Sequence, residues 1–372
     1  MSKINEKGFA MKKEDFTNAF IEETMQKVSK EILNYLNNKE HIVPHGKGLM
    51  FPMALEELRA EGIEVPYLID DTPNLWGKKI GNVEIVPRDD KRLKDDRIIM
   101  GCTCKMDILR KTYEAEKRDV FSHGQYHLCK HYQEYVDVRD NYFEDNKSKL
   151  VYNIAMYALL TSYWASEEFR LVCEGEQYFG LPEFYFLGRE HIVDVGAFVG
   201  DTLEKFVFHS LGSLAYYYGF EPGDIQYNAL EKRKQRLCSE WAMNEEQIVL
   251  VKAGVSKENM TLYTGAKEKA DLELISDSTL GGEAIQVVAL DEYLKDKPVT
   301  LIKADIQGME MDLIEGAKNI IKNQKPKLAI CAYHLPSDLY LLPKRIREIN
   351  PDYRFALRSH SNNYSEMVLY CY

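Results

Sequence analysis

The chain has no long hydrophobic run. Nothing in its 372 residues approaches the ~20 consecutive apolar residues that span a bilayer, so no membrane partner is expected. It has no surplus of positive charge either. Lys and Arg total 48 against 59 Asp and Glu, a formal net charge of −11. No basic stripe offsets this balance, which argues against a nucleic-acid partner. The one dense basic run, Glu231-Lys-Arg-Lys-Gln-Arg236, reads as an exposed helix face. Cysteine is sparse, scattered and odd in number, seven in all, which suits a reducing cytoplasm better than a disulfide framework. The charged N-terminus lacks the apolar core of a signal peptide, so a cytoplasmic protein is expected. Internal repeats and low-complexity linkers are missing too. What remains is a chain that is 45% apolar, enough for sizeable cores, and long enough that two domains are the natural expectation.

The most informative stretch is His191-Ile-Val-Asp-Val-Gly-Ala-Phe-Val-Gly-Asp-Thr202. An apolar run carries Asp194 and turns at Gly196 and Gly200, as a buried parallel strand does when it hands over to a helix around a nucleotide. Ala215-Tyr-Tyr-Tyr-Gly-Phe-Glu221 follows as a second strand ending in a carboxylate, which can accept hydrogen bonds from both ribose hydroxyls of an adenosine. The loop has no Lys and no Gly-Lys-Ser/Thr, so it is not built for a triphosphate. It suits S-adenosylmethionine (SAM), which has no phosphate and carries a positive sulfonium. Val249-Leu-Val-Lys-Ala-Gly254 reads as a third strand ending in small residues, against which an adenine ring could lie flat. Thr300-Leu-Ile-Lys-Ala-Asp305 and Leu328-Ala-Ile-Cys-Ala-Tyr-His334 are two more strands with polar ends. Tyr353 to Leu357 and Met367 to Tyr370 flank Ser361-Asn-Asn-Tyr364 as a closing antiparallel pair. Alternating strands and helices predict a doubly wound α/β sheet with its ligands at the carboxyl ends of the strands.

From about Asp145 to the C-terminus the chain resembles the FkbM family of SAM-dependent methyltransferases. The matching pieces are Gln177-Tyr-Phe179, the segment Asp194 to Thr202, Phe220-Glu-Pro222, Val288-Ala-Leu-Asp291, Lys303-Ala-Asp-Ile-Gln-Gly-Met-Glu310 and Tyr333-His334. Gln307 departs from the family, which usually has Glu there. The resemblance implies a methyltransferase, typically acting on oxygen, with sugars and secondary metabolites among the family's substrates. A small-molecule acceptor, carbohydrate included, is the partner it suggests.

The cofactor-binding candidates are Asp194, Gly196, Ala197, Gly200, Asp201 and Thr202 on the first loop, Glu221, Ala253 and Gly254 at the next two strand ends, and Asp305. Methyl transfer requires the acceptor oxygen in line with the sulfur–methyl bond, and much of the catalysis can come from that positioning. A general base adds more. His334 and Asp305, at the ends of adjacent predicted strands, are the catalytic candidates, with His334 neutral near its ordinary pKa of ~6.5. Asp305 and Glu310 could share Mg²⁺ with substrate oxygens, but two carboxylates five residues apart do not define a site, and no metal is expected.

The N-terminal half has its own pattern. Apolar residues from Phe16 to Leu36 recur at helical spacing, predicting a helix over about 13–38. His41-Ile-Val-Pro44, Gly46-Lys-Gly48, a helical stretch from Met50 to Ala60 and the strand Val65 to Asp70 follow, then the strand Asp96 to Gly101. This order predicts a smaller Rossmann-like domain over residues 1–140, with the methyltransferase domain over 141–372. Phe51 stands where a third glycine would be, so a structural or dimerising unit is expected ahead of a ligand-binding one, and a dimerising unit would make the protein a homo-oligomer. Residues 105–180 read mainly as helix, and the large side chains of Leu150 to Trp164 read as core packing rather than an acceptor pocket. His123, His127 and His131 are four apart and share a helix face. Two such His can bind zinc, but the set is short of the ligands a site needs, so a solvated or hydrogen-bonded face is expected. Cys102-Thr-Cys104 lacks a second pair and reads as small apolar residues at a strand end.

Two other functions compete with methyl transfer. One is a nucleotide-sugar binding or scaffold protein with an inactive methyltransferase domain. Intact Asp194, Gly196, Gly200 and Glu221 argue against it. The other is a nicotinamide-dependent oxidoreductase using the N-terminal unit, which the missing glycine disfavours.

Overall fold

A computed structural model describes residues 11–103, 105–162, 167–185, 188–264, 274–275 and 282–372. Cys104, Tyr163, Trp164 and the residues 1–10 read for a signal peptide lie outside that range. The predicted first helix is a short turn, Lys13–Asp15, followed by α1 (Asn18–Leu36). The Thr17 hydroxyl accepts from Phe20 N at 3.2 Å and fixes where α1 begins. Short strands and helices then alternate: β1 (Ile42–His45), α2 (Met50–Ala60), β2 (Tyr67–Ile69), β3 (Lys79–Ile80), β4 (Val83–Val86), β5 (Ile98–Gly101), α3 (Met106–Glu114) and β6 (Val120–Ser122). They make a six-stranded sheet in the order β3-β4-β2-β1-β5-β6, parallel except between β3 and β4. β5 is buried at every position, which is why an unbroken apolar run marks it in the sequence.

Three helices follow: α4 (His123–Lys130), α5 (Tyr132–Asn141) and α6 (Asn146–Thr161). Asp145 caps α6 by accepting from Ser148 N at 2.8 Å. From Val151 to Leu160 this helix is buried on every side, as a helix apolar all round must be. Its large side chains pack as core, in one cluster that joins Phe16 and Ile21 to Ile302 and Ile330 of the second sheet. The apolar core therefore crosses residue 140. The His face of α4 is hydrogen-bonded, with His123 and His127 buried under Glu57 of α2 and His131 partly exposed at its end.

The second half begins with α7 (Pro182–Tyr185), β7 (His191–Val195), α8 (Asp201–His209), β8 (Tyr216–Phe220), α9 (Asp224–Glu240) and β9 (Ile248–Val251). β10 (Gly254–Val255), β11 (Met260–Thr264), β12 (Leu274–Ile275) and β13 (Ala284–Val288) form a small mixed sheet that the sequence pattern did not announce. After α10 (Leu290–Tyr293) come β14 (Leu301–Ala304), α11 (Glu310–Gly316), α12 (Lys318–Gln324), β15 (Lys327–Cys331), α13 (Asp338–Ile349), β16 (Phe355–Ser359) and β17 (Met367–Cys371). The main sheet has the order β16-β17-β15-β14-β7-β8-β9, with β17 antiparallel to both neighbours. The chain enters at β7, moves outward through β8 and β9, then returns to the other side of β7 with β14. The order reverses between β7 and β14, so a crevice opens beyond their carboxyl ends. No described helix is long and apolar enough to cross a membrane.

Candidate active site

The crevice is built by two strand ends that come unusually close. Ala304 pairs with Val195, and a Cβ on Gly196 would lie 2.1 Å from the Asp305 carbonyl oxygen. Only glycine fits there, and its φ of 73° carries the chain away from the sheet. Gly200 has a φ of 82°, and a Cβ there would meet Leu230 at 2.7 Å, so it seats α8 against α9. Inside the strands, Lys303 Nζ lies 2.9 Å from Asp194 Oδ1 and donates to Gly196 O at 2.7 Å. Tyr217 OH donates to Asp194 Oδ2 at 2.6 Å. Burial opposes the charge on Lys303, but Asp194 and then Asp305 outweigh it and raise its pKa, so the lysine stays a cation.

A cavity of about 620 Å³ occupies the crevice. Of the residues expected to bind a cofactor, Gly196, Asp201, Thr202, Glu221, Gly254 and Asp305 line it. Asp194, Ala197, Gly200 and Ala253 lie behind that lining. Asp194 is fully buried and held by Lys303 and Tyr217, Ala197 packs in the core behind the loop, Gly200 serves the helix contact, and Ala253 is buried beside the lining residue Gly254. Glu221 is almost fully buried and already oriented. Its Oε2 accepts from Phe198 N at 3.0 Å and its Oε1 from Gly223 N at 2.8 Å. Each oxygen keeps a lone pair free. Burial pushes the Glu221 pKa up, against the two backbone donors.

At the other end Asp305 gathers donors. Tyr333 OH lies 3.2 Å from Oδ1 and Tyr178 OH 3.3 Å from Oδ2. His334 is buried, with Nε2 3.4 Å from Asp305 Oδ1 and Nδ1 2.8 Å from Glu310 Oε1. Neither nitrogen's N–H points along its contact, so these are ion pairs rather than aligned hydrogen bonds. Burial alone would lower the imidazole pKa, but Glu310, then Asp305 and Asp338, raise it to about 9. The neutral imidazole expected of a general base is therefore the minor form near neutrality. Asp305, Glu310 and His334 each offer a donor atom within 4.8 Å of the others.

Several lining residues were not picked out as functional from the sequence. Tyr178, Phe198, Gln307 and Glu366 all line the cavity and all have positive φ, at 72°, 48°, 57° and 55°. Non-glycine residues seldom adopt this conformation, and it concentrates where a site demands it. Glu366 comes from the turn before β17 and is hydrogen-bonded by Gln177, 189 residues away in sequence. The first-sheet loop does not behave as a phosphate cradle. Asp70 accepts from Lys47 N at 3.0 Å and Thr72 N at 2.9 Å, so its carboxylate is engaged by its own backbone. Gly46 lets the chain pass the Cys102 carbonyl oxygen, which a Cβ there would meet at 3.2 Å.

Comparison with known proteins shows what the chain is similar to. Residues 194–357 match the family model described as the methyltransferase FkbM domain. No curated protein is a significant match to the chain's sequence. The solved structure of an FkbM methyltransferase from Methylobacillus flagellatus KT superposes with a TM-score of 0.59 at 20% identity, covering 95% of this chain and 99% of its own. Fibrillarin from Aeropyrum pernix, with natively bound SAM, has a TM-score of 0.32 at 11% identity and covers 52% of this chain and 70% of its own. M. capricolum TrmK, with S-adenosylhomocysteine, has a TM-score of 0.29 at 11% identity over 50% of this chain and 62% of its own. Residues 194–357 thus match a methyltransferase FkbM domain, and the chain has a doubly wound α/β fold similar to that of the solved FkbM methyltransferase.

Proposed function

We propose that the protein is a SAM-dependent methyltransferase that methylates a hydroxyl oxygen of a small, polyhydroxylated acceptor, a carbohydrate being the favoured class. The observation that carries this reading is a single cavity with an adenosine-type carboxylate at one end and a donor-ringed carboxylate at the other. Its volume of about 620 Å³ lies within the range of roughly 300–1,000 Å³ usual for small-molecule sites. The residues present fit the cofactor. Glu221 has a free lone pair on each oxygen for the two ribose hydroxyls, and Gly196 leaves open the floor that a side chain would fill. When bound, SAM supplies an electrophilic methyl group on a positively charged sulfur.

The charges in the cavity support the acceptor class. Asp201, Glu221, Asp305 and Glu366 line it. Among the described residues the only lining cations, Lys303 and His334, are engaged by Asp194 and Glu310. Such a surface attracts hydroxyl donors and a sulfonium and disfavours a phosphorylated or carboxylated acceptor. Asp305 orients the acceptor hydroxyl and takes its proton. A weak base suffices, because that proton becomes strongly acidic as the oxygen gains its new bond to carbon. Tyr178, Tyr333 and the His334 cation hold the Asp305 carboxylate in place, so these are positioning residues. In this reading residues 141–372 carry the chemistry, and residues 1–140 back its acceptor side, where the Leu49 side chain would meet a Cβ on Gly308 at 3.5 Å.

The test is transfer of labelled methyl from SAM across a panel of free sugars, sugar nucleotides and hydroxylated metabolites. The reading expects label on a neutral polyol or sugar oxygen. Label found only on nitrogen, or only on anionic acceptors, would count against it.

A further inference from the structure

Away from the cavity, four side chains from two elements converge on one point. Glu57 lies on α2, His123 and His127 lie one turn apart on α4, and His131 follows at its end. Glu57 Oε2 is 2.8 Å from His123 Nε2, while Oε1 is 2.8 Å from His127 Nδ1 and 3.1 Å from His131 Nε2. The donor atoms of Glu57, His123 and His127 all lie within 4.8 Å of one another. Around a tetrahedral ion with bonds of about 2.0–2.2 Å, neighbouring donors sit about 3.3–3.5 Å apart. Opening the Glu57 contacts to that spacing takes shifts of roughly half an ångström, and His131, whose donor lies outside that group of three, would swing in as the fourth ligand. Three imidazole nitrogens and one carboxylate also make a full set of four ligands of the kinds zinc takes, with no position left for water. The His123 and His127 side chains are buried, whereas His131 is 32% exposed and offers a way in.

We propose that Glu57, His123, His127 and His131 form a structural zinc site, separate from the methyl-transfer cavity. Its place gives it a task. The rings of His127 and His131 both lie 5.8 Å from the ring of Tyr340, near the start of α13. Tyr135 OH donates to Pro336 O at 2.6 Å in the same wall. The ion would fasten α2 of the first sheet to α4 directly behind the segment that leads from His334 into α13. It would also compensate the Glu57 carboxylate in place of the imidazole contacts that hold it otherwise.

The test uses the full chain, stripped with a chelator, dialysed against limiting Zn²⁺ and analysed by mass spectrometry for metal. One zinc per chain is expected, with a rise of about 3 °C or more in Tm over the stripped protein at saturating Zn²⁺. Cobalt in its place should give the visible absorption bands of a tetrahedral site. The double variant His123→Gln/His127→Gln should lose the zinc, while Asp305→Asn keeps it. Absence of stoichiometric zinc in the wild type overturns the proposal. So does zinc retained in a double variant that circular dichroism shows to be folded, or zinc lost in Asp305→Asn alone. Should the double variant not fold, His131→Ala at the exposed end decides. Loss of this ligand should weaken Zn²⁺ affinity at least about tenfold, and unchanged affinity overturns the proposal.

Discussion

Replacing Glu310 by Gln removes the carboxylate 2.8 Å from His334 Nδ1 while keeping the side chain's volume. The Gln oxygen can still accept from Ile306 N, which Glu310 Oε1 does at 2.9 Å, so the loop need not collapse. In the native protein burial pulls the His334 pKa down, and Glu310, with Asp305 and Asp338 behind it, lifts it to about 9. With Glu310 neutral, burial meets less opposition and the pKa falls toward ~6.5 or below. The sign of the effect on stability follows. A histidine whose folded pKa lies above its unfolded value stabilises the fold fully below ~6.5. That stabilisation drains away as pH rises and is gone above about 9. The gap between ~6.5 and about 9 corresponds to on the order of 3 kcal/mol. Denaturant unfolding of wild type and Glu310→Gln at a series of pH values should therefore show a stability gap that is widest in mild acid and closes in alkali. A wild-type His334 ring resonance titrating near ~6.5, or two stability curves that run parallel across the series, would refute the reasoning.

Other outcomes follow from the same geometry. Glu221→Ala should weaken SAM binding by about 1.5–3 kcal/mol, or about 10- to 150-fold, read by calorimetry on a folded variant. Asp305→Asn should lower turnover by on the order of 10²–10⁴-fold while SAM affinity stays nearly intact, and near-native turnover would leave positioning alone as the mechanism. Wild-type turnover should not climb as pH passes through ~6.5, because His334 remains a cation there, and a climb would restore it as the base. Gly196→Ala drives a Cβ to 2.1 Å from a backbone oxygen at positive φ, so a loss of about 2 kcal/mol or more is expected in denaturant unfolding.

The sequence disclosed what depends on neighbours in the chain. Ile192, Val193 and Val195 are apolar because a central parallel strand is buried on both faces. Glu221 could be found because a strand end followed by a carboxylate is a local pattern. The closing pair was legible for the same reason, and it appears as Phe355–Ser359 against Met367–Cys371. Contacts between distant segments stayed hidden. Nothing local says that Lys303 would engage Asp194, 109 residues earlier. Nothing near His334 in sequence reveals that Glu310 would face it and keep it charged. Glu57 and His123 are 66 residues apart, so the α4 histidines looked like a face short of ligands. The small sheet from β10 to β13 escaped notice because two of its strands are only two residues long.

The central claim is that this crevice holds SAM. Calorimetric titration of the full chain with SAM, and in parallel with NADH, tests it most directly. One SAM site per chain, with its heat strongly reduced in Glu221→Ala and no heat from NADH, is the predicted result. A folded wild-type protein that gives no binding heat with SAM at any temperature tried, or that binds NADH instead, would contradict the account.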